Sequence, residues 1–121
     1  MKQALNIPLE EFLRPFFGPG ERICLRVFDD KKTGTFKGAK LETTLFGLPG
    51  LMGTLQKHNK QNRGIYFVVN FGGHEDSDIT RINAQFMECD ELSLDEQLRQ
   101  IEAFPLEPSF IVRTRKSLHT Y

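Results

Sequence analysis

The amino-acid sequence predicts an α+β fold, with a mixed or antiparallel sheet and helices packed on it. Segments with helical spacing of apolar residues alternate with short β-branched and aromatic runs, in the order helix-strand-strand-helix-strand-strand-helix-strand-strand. The chain has 121 residues, of which 39% are hydrophobic and 26% charged, as is typical of one folded domain with one core. We therefore expect residues 1–121 to form a single domain.

Charge and cysteine content restrict the classes of function. Sixteen basic residues balance 16 acidic ones, so no overall field draws the chain to nucleic acid or to an anionic membrane, and any nucleic-acid contact must be local. Cys24 and Cys89 fit neither a close-spaced metal motif nor a disulfide framework; they predict two buried thiols in a reducing compartment, the cytoplasm. No run of 18 apolar residues occurs, so no membrane segment is expected.

The first half of the chain predicts two helices and a hairpin. Apolar residues at three- and four-residue spacing follow Pro8 and stop at the glycines of 18–20, which predicts an amphipathic first helix. A strand over 22–28, a charged turn over 29–34 and a weaker partner strand over 35–41 follow. The second helix is marked by Leu48, Leu51, Met52 and Leu55, and a polar, basic loop over 57–63 comes after it.

The second half predicts four strands and a helix. The run 64–70 is the most strand-like and is expected to be a central strand, separated by the loop 71–80 from a strand over 81–89. Ser93 begins a capping box, followed by the apolar stripe of a third helix that ends at Pro105. Another strand covers 108–113, and after the basic turn 114–116 a last strand begins at Ser117.

Two acids, Glu88 and Asp90, are the first candidate site. On the predicted strand they continue the face of Ile82, Ala84 and Phe86, about 6.5–7 Å apart at Cα. Carboxylates in this arrangement can converge on a divalent cation of the Mg²⁺ type, which takes one or two protein carboxylates plus waters and phosphate oxygens. The alternative is that the strand ends at Phe86 and both acids are solvated.

The second candidate is the segment that contains Arg113, Arg115, Lys116, Ser117 and His119. Three cations precede a hydroxyl and an imidazole that alternate on one strand face, a set suited to phosphate groups. The alternative is a basic turn with a structural histidine.

Two weaker features add to these. Gly72 and Gly73 allow close backbone approach to a ligand, although a flexible loop explains them equally well. Lys57, Lys60 and Arg63 could contact a nucleic-acid backbone, or they form a solvated basic loop.

The order of these motifs resembles the catalytic core of the archaeo-eukaryotic primase superfamily, the primase-polymerases of many phages and plasmids. The resemblance covers about 64–121. It matches the family's acid-any-acid motif at Glu88 and Asp90 and its Ser-any-His motif at Ser117 and His119, and the run 69–73 is similar to the strand end that precedes them. Glu88 departs from the aspartate that the family more often has. A third acidic motif of the family has no counterpart before residue 121, so we expect an N-terminal, truncated part of a catalytic domain.

The resemblance implies a metal-dependent nucleotidyltransferase, a DNA primase or polymerase. Glu88 and Asp90 would hold Mg²⁺ or Mn²⁺, and His119 would join them as a catalytic residue. Ser117, His119, Lys116 and Arg115 would bind a nucleoside triphosphate. Single-stranded DNA, as template or primer, would be the second partner, and a helicase domain could follow in the full-length protein.

Two other classes remain open from the residues. One is a nucleic-acid-binding module with an RRM-like sheet and no catalysis, indicated by aromatic residues such as Tyr66 and Phe67. The other is a replication-initiator domain that recognises duplex DNA with the same fold, against which the neutral net charge argues.

Overall fold

A computed structural model describes residues 6–29, 31 and 34–121. The described residues form an α+β fold with three α-helices and small antiparallel sheets, which confirms the predicted fold class. Its contacts separate two compact units, Ile7–Asn83 and a smaller one that contains Ala84–Tyr121 with Asn6. The single-domain organisation stays a prediction.

The larger unit contains a three-stranded antiparallel sheet with the order β2-β1-β3. Its elements are α1 (Leu9–Leu13), β1 (Ile23–Asp29), β2 (Ala39–Thr43), α2 (Leu48–Lys60) and β3 (Arg63–Phe67). The predicted hairpin is confirmed, with its second strand displaced towards the C-terminus. The prediction that the run 64–70 is a central strand is wrong: β3 lies at an edge of this sheet, and β1 is central because it pairs with β2 on one side and β3 on the other. Of the predicted charged turn, residues 30, 32 and 33 lie outside the described residues.

Alternation along β1 divides the sheet into an inner and an outer face. Ile23, Leu25 and Val27 are buried on the inner face, and each such side chain stabilises the fold by about 1.5–3 kcal/mol. The core of this unit also contains Leu13, Phe16, Phe17, Leu45, Leu48, Leu55 and Val69. Arg26 and Phe28 lie on the outer face, and Phe28 is exposed.

Helix α1 is shorter than the apolar pattern predicts. It ends at Leu13 because Pro15 has no backbone N–H to continue the hydrogen-bond ladder. The chain instead turns, and the N–H groups of Phe16 and Phe17 both donate to the carbonyl of Leu13, at 3.0 and 3.3 Å. Both aromatic rings therefore still reach the core.

Helix α2 is longer than predicted, and the prediction of a basic loop over 57–63 is wrong. The basic side chains of Lys57, His58 and Lys60 lie in its last turn, where the negative end of the helix dipole stabilises positive charge. Asn62 then takes a left-handed conformation with φ of 59°, a common way to end a helix. Arg63 already belongs to β3.

The smaller unit contains α3 (Leu94–Ala103) and the antiparallel pair β4 (Ile111–Arg113) and β5 (Leu118–Thr120). The third helix is confirmed together with its cap, because the Ser93 hydroxyl accepts a hydrogen bond from the Glu96 N–H at 3.2 Å. β4 is shorter than the strand predicted over 108–113.

The strand predicted over 81–89 does not form. The segment makes only isolated bridges, Phe71 with Arg81 and Met87 with Thr120, and between them it has no neighbouring strand among the described residues. Its apolar side chains are correspondingly exposed: Ile82 is 65% and Phe86 56% accessible. The prediction that both thiols are buried is half wrong, because Cys24 is buried while Cys89 is exposed.

Among the described residues, none of the helices combines the length and the hydrophobicity needed to cross a membrane.

Candidate functional site

The two candidate motifs of the smaller unit are joined by an antiparallel bridge between Met87 and Thr120. Each residue donates its N–H to the other's carbonyl at 2.9 Å, and the Thr120 hydroxyl donates to the Met87 carbonyl at 3.2 Å. Glu88 and His119 adjoin this bridge in sequence. The bridge therefore brings together side chains that are about thirty positions apart in the chain.

Glu88 and His119 are in direct contact. The Nε2 atom of His119 lies 2.8 Å from Oε2 of Glu88, with 29% of the histidine side chain and 55% of the glutamate side chain accessible to solvent. The pair is thus a surface carboxylate in close contact with a half-buried imidazole. A carboxylate that retains free oxygen lone pairs can still accept a cation or a donor from solvent.

The other predicted residues are placed less closely. Asp90 lies in a turn and is exposed, rather than sharing a strand face with Glu88. Arg115 and Lys116 are exposed in the turn between β4 and β5. This turn is closed by Thr114, whose N–H donates to the Ser117 carbonyl at 2.9 Å and whose hydroxyl accepts from the Ser117 N–H at 3.0 Å.

Ser117 is buried, with only 4% of its surface accessible. Its hydroxyl oxygen has no hydrogen-bond partner among the described residues. A buried hydroxyl without a partner costs about 1–3 kcal/mol, so a donor or acceptor that reached it would be favoured. In this arrangement, however, the hydroxyl is closed off from solvent, and phosphate contact would require the turn to move.

Gln97 of α3 positions the start of β5, and sequence reasoning missed it. Its side-chain amide donates to the carbonyls of Leu92 and Lys116 at 2.8 and 3.0 Å, and its Oε1 accepts from the Leu118 N–H at 2.8 Å. The residue is 2% accessible. The available signal was its spacing, three after Leu94 and four before Ile101, which places a polar amide on the apolar stripe.

The pKa of the Tyr121 phenol depends in part on Glu88. Burial raises the pKa of its phenol, and the negative charge of Glu88 raises it further, because both disfavour the phenolate. Its ring lies 6.1 Å from that of Phe86, centroid to centroid.

The Mg²⁺ or Mn²⁺ site at Glu88 and Asp90 stays a prediction. Glu88 and Asp90 are exposed carboxylates, the hard oxygen ligands that such cations take together with waters and phosphate oxygens. The side chains present fit that chemistry. They do not form a three-ligand cluster: in the described part of the chain, the one group of three converging His, Cys, Asp or Glu ligands lies elsewhere.

That group is Cys24, Glu42 and His74, on the outer face of the larger unit. One ligand atom from each lies within 4.8 Å of the others. Burial raises the pKa of the Cys24 thiol, and the Nε2 atom of His74 lies 3.4 Å from Oε1 of Glu42. Nothing in the sequence alone brings these three residues together, because the strand register and the loop path do so.

The predicted glycine loop serves the fold rather than an approaching ligand. Gly72 has φ of +152°, and a Cβ at this position would lie 1.9 Å from the Asp78 carbonyl oxygen. A side chain is therefore excluded by the loop's own backbone, which turns back through the short 3₁₀ segment Asp76–Asp78.

The basic residues proposed for weak nucleic-acid contact are divided between two elements. Lys57 and Lys60 are exposed on α2. Arg63 is engaged on β3: its guanidinium lies 3.8 Å from the centroid of the Phe36 ring and hydrogen bonds to His58 Nδ1 at 3.0 Å. The three therefore do not form the single basic loop that the sequence predicts.

The two sheet aromatics considered for base stacking point to opposite faces. Tyr66 is 53% accessible, and its ring lies 5.7 Å from that of Phe28, which is 44% accessible. Phe67 instead contacts Phe12 and Phe16, with ring centroids 5.5 and 5.4 Å away. A groove of about 530 Å³ adjoins the exposed pair and is also lined by Lys37.

Comparison with known proteins gives no relative. No protein-family model, no curated protein and no solved structure matches this chain.

Proposed function

We propose that this chain is part of a metal-dependent nucleotidyltransferase of the primase-polymerase type, located in the cytoplasm. The observation that carries the proposal is the contact of 2.8 Å between Glu88 and His119. These residues belong to the two motifs on which the resemblance rests. Their meeting across the Met87 to Thr120 bridge is what a shared site for metal and nucleotide requires.

In this proposal Glu88 and Asp90 hold a divalent cation, Mg²⁺ or Mn²⁺. The bound cation would lower the pKa of an attacking hydroxyl and neutralise charge on the transferring phosphoryl group. Arg115 and Lys116, exposed in the neighbouring turn, supply positive charge for the triphosphate.

His119 has two roles available in the same position. It now contacts Glu88, and its imidazole can donate to a phosphate oxygen instead when nucleotide is bound. Gln97 keeps β5 in place while this exchange occurs, because its three hydrogen bonds are made to backbone groups. Ser117 contributes only if its turn opens.

The test is template-directed synthesis from nucleoside triphosphates by the full-length protein. Asp90→Asn and His119→Ala are expected to reduce synthesis at least about 100-fold, as loss of a catalytic or charge-stabilising group does. Glu91→Gln, at a neighbouring exposed acid, is the matched control and should retain activity. Wild-type synthesis in either site variant would refute the assignment.

A second function, binding of single-stranded nucleic acid without catalysis, is favoured by a separate observation. Phe28 and Tyr66 form an exposed aromatic pair, and the Arg26 guanidinium lies 5.2 Å from the Phe28 ring centroid. Bases stack on such pairs with about 1–3 kcal/mol each.

That function makes a different prediction. A fluorescent oligothymidylate should bind in the presence of a metal chelator, and Phe28→Ala and Tyr66→Ala should each weaken binding about tenfold. Phe46→Ala is the control, since Phe46 is 92% accessible but lies outside the pair. Equal affinities for all three variants would remove this candidate.

A further inference from the structure

We propose that Cys24, Glu42 and His74 form a binding site for a transition-metal ion of the Zn²⁺ class. The proposal concerns the larger unit and does not depend on the function proposed for Glu88 and His119. It starts from the convergence of the three ligand atoms, all within 4.8 Å of one another.

The sheet fixes two of the three ligands. Cys24 on β1 and Glu42 on β2 are directly opposite in the antiparallel register. Opposite side chains lie on the same face with Cβ atoms about 4.5–5.5 Å apart. The Val68 N–H also donates to the Cys24 carbonyl at 2.9 Å, so the backbone of Cys24 is held from both sides.

The third ligand is placed by the loop after β3. Arg22 donates to the Gly72 carbonyl. On the other side of His74, Glu75 pairs with Lys40 of β2 at 2.6 Å. The loop is therefore held by Arg22, next to β1, two residues before His74 and by Lys40 of β2 one residue after it, which places the imidazole over the outer face.

The spacing suits a small ion. Bonds of about 2.0–2.3 Å in a tetrahedral zinc site separate ligand atoms by about 3.3–3.8 Å. The Nε2 atom of His74 and Oε1 of Glu42 are already 3.4 Å apart. Separations of up to 4.8 Å exceed that range by about an ångström, so binding of the ion requires the side chains to move closer.

Burial and hydrogen bonding point the same way. The His74 side chain is only 11% accessible, and its Nδ1 atom is buried without a hydrogen-bond partner among the described residues. A neutral imidazole has a donor and an acceptor nitrogen, so this ring leaves polar capacity unused in a shielded site. Coordination through Nδ1 would use that unpaired nitrogen, whereas coordination through Nε2 would replace the contact of this atom with Glu42.

The ligand types select the metal. One thiolate, one imidazole and one carboxylate form the mixed sulfur, nitrogen and oxygen set that suits Zn²⁺, whereas Mg²⁺ prefers oxygen alone. A thiolate and a carboxylate also balance the two positive charges of the ion. Three protein ligands leave a fourth coordination position for water or another ligand.

The test uses Co²⁺ as a spectroscopic substitute added to the chelator-treated protein. We expect one equivalent to bind with thiolate-to-cobalt charge-transfer absorption and the visible bands of tetrahedral cobalt. Zn²⁺ should displace it, and Mg²⁺ should not. Absence of the charge-transfer absorption in the wild-type protein would overturn the proposal.

Variants locate the ion. Cys24→Ser should abolish the charge-transfer band, whereas Cys89→Ser, at the exposed cysteine, should keep it. Glu42→Gln changes a half-exposed side chain and is expected to preserve the fold while lowering Zn²⁺ affinity at least about tenfold. A band that survives Cys24→Ser, or an affinity unchanged by Glu42→Gln, would contradict the site.

Discussion

The Oε1 atom of Gln97 accepts a hydrogen bond from the backbone N–H of Leu118 at 2.8 Å, one residue before His119. The same side chain holds the Lys116 carbonyl at 3.0 Å. A buried amide on α3 thus determines where β5 begins, and with it the position of the imidazole that meets Glu88.

Replacing Gln97 by methionine keeps its length but removes all three hydrogen bonds. We expect a loss of about 2–4 kcal/mol in the free energy of unfolding, because the Leu118 N–H is left buried without an acceptor. Chemical denaturation of the wild type and of Gln97→Met measures this loss. Gln100→Met, at an exposed position of the same helix, should change stability by less than about 0.5 kcal/mol. Equal effects in the two variants would show that the amide is not a positioning group.

Two glycines are expected to respond oppositely to alanine. Gly72→Ala should destabilise by at least about 2 kcal/mol, because its Cβ would meet the Asp78 carbonyl oxygen at 1.9 Å. Gly53→Ala lies in α2, where the new Cβ meets nothing within 4 Å. It should stabilise the chain by about 0.5–1 kcal/mol. Thermal denaturation of both variants checks the pair, and a neutral Gly72→Ala would contradict the described loop.

The ion pair of Glu21 and Arg81 should contribute to the free energy of unfolding, and this contribution should be lost in acid. The Arg81 hydrogen bonds, at 2.6 and 2.8 Å, and the Gly18 N–H lower the pKa of Glu21 below its ordinary value of 4.5. A lowered folded-state pKa gives stability that is present above 4.5 and is lost as the pH falls through the lowered value.

Denaturation of the wild type and of Glu21→Gln at several pH values measures this term. The wild type should be more stable at neutral pH, and the difference should disappear in strong acid and shrink with added salt. Glu11→Gln is the control at an exposed acid of α1. A difference between wild type and Glu21→Gln that stays constant down to the lowest pH would contradict the pairing.

Tyr121 reports on the charge of Glu88. Its phenol pKa should lie above the usual value of 10.0, mainly through burial, and Glu88→Gln should lower it only part of the way. Ring-carbon NMR of Tyr121 against pH follows the titration. Glu91→Gln should leave it unchanged, and so an equal shift in both variants would point to a general charge effect rather than to proximity.

The local signals of the sequence predicted much of the fold. The cap at Ser93 and the stripe that begins at Leu94 correctly located α3, because both depend on residues within a few positions. Which strand is central, and whether 81–89 pairs at all, depends on distant partners that alternation does not encode.

The candidate sites divide in the same way. Glu88 and His119 were both selected from the sequence, but their contact depends on a bridge of two residues and on a buried amide, Gln97. The convergence of Cys24, Glu42 and His74 depends on β-register and a fastened loop, and neither can be read from residue types.

The most direct test of the proposed nucleotidyltransferase site is an NMR titration of this chain with Mn²⁺ followed by a nucleoside triphosphate. We predict that amide signals around Glu88 and Asp90 broaden first, that nucleotide then shifts those of His119 and Lys116, and that Asp90→Asn removes the broadening. Broadening that is absent at Glu88 and Asp90, or that persists unchanged in Asp90→Asn, would contradict the account.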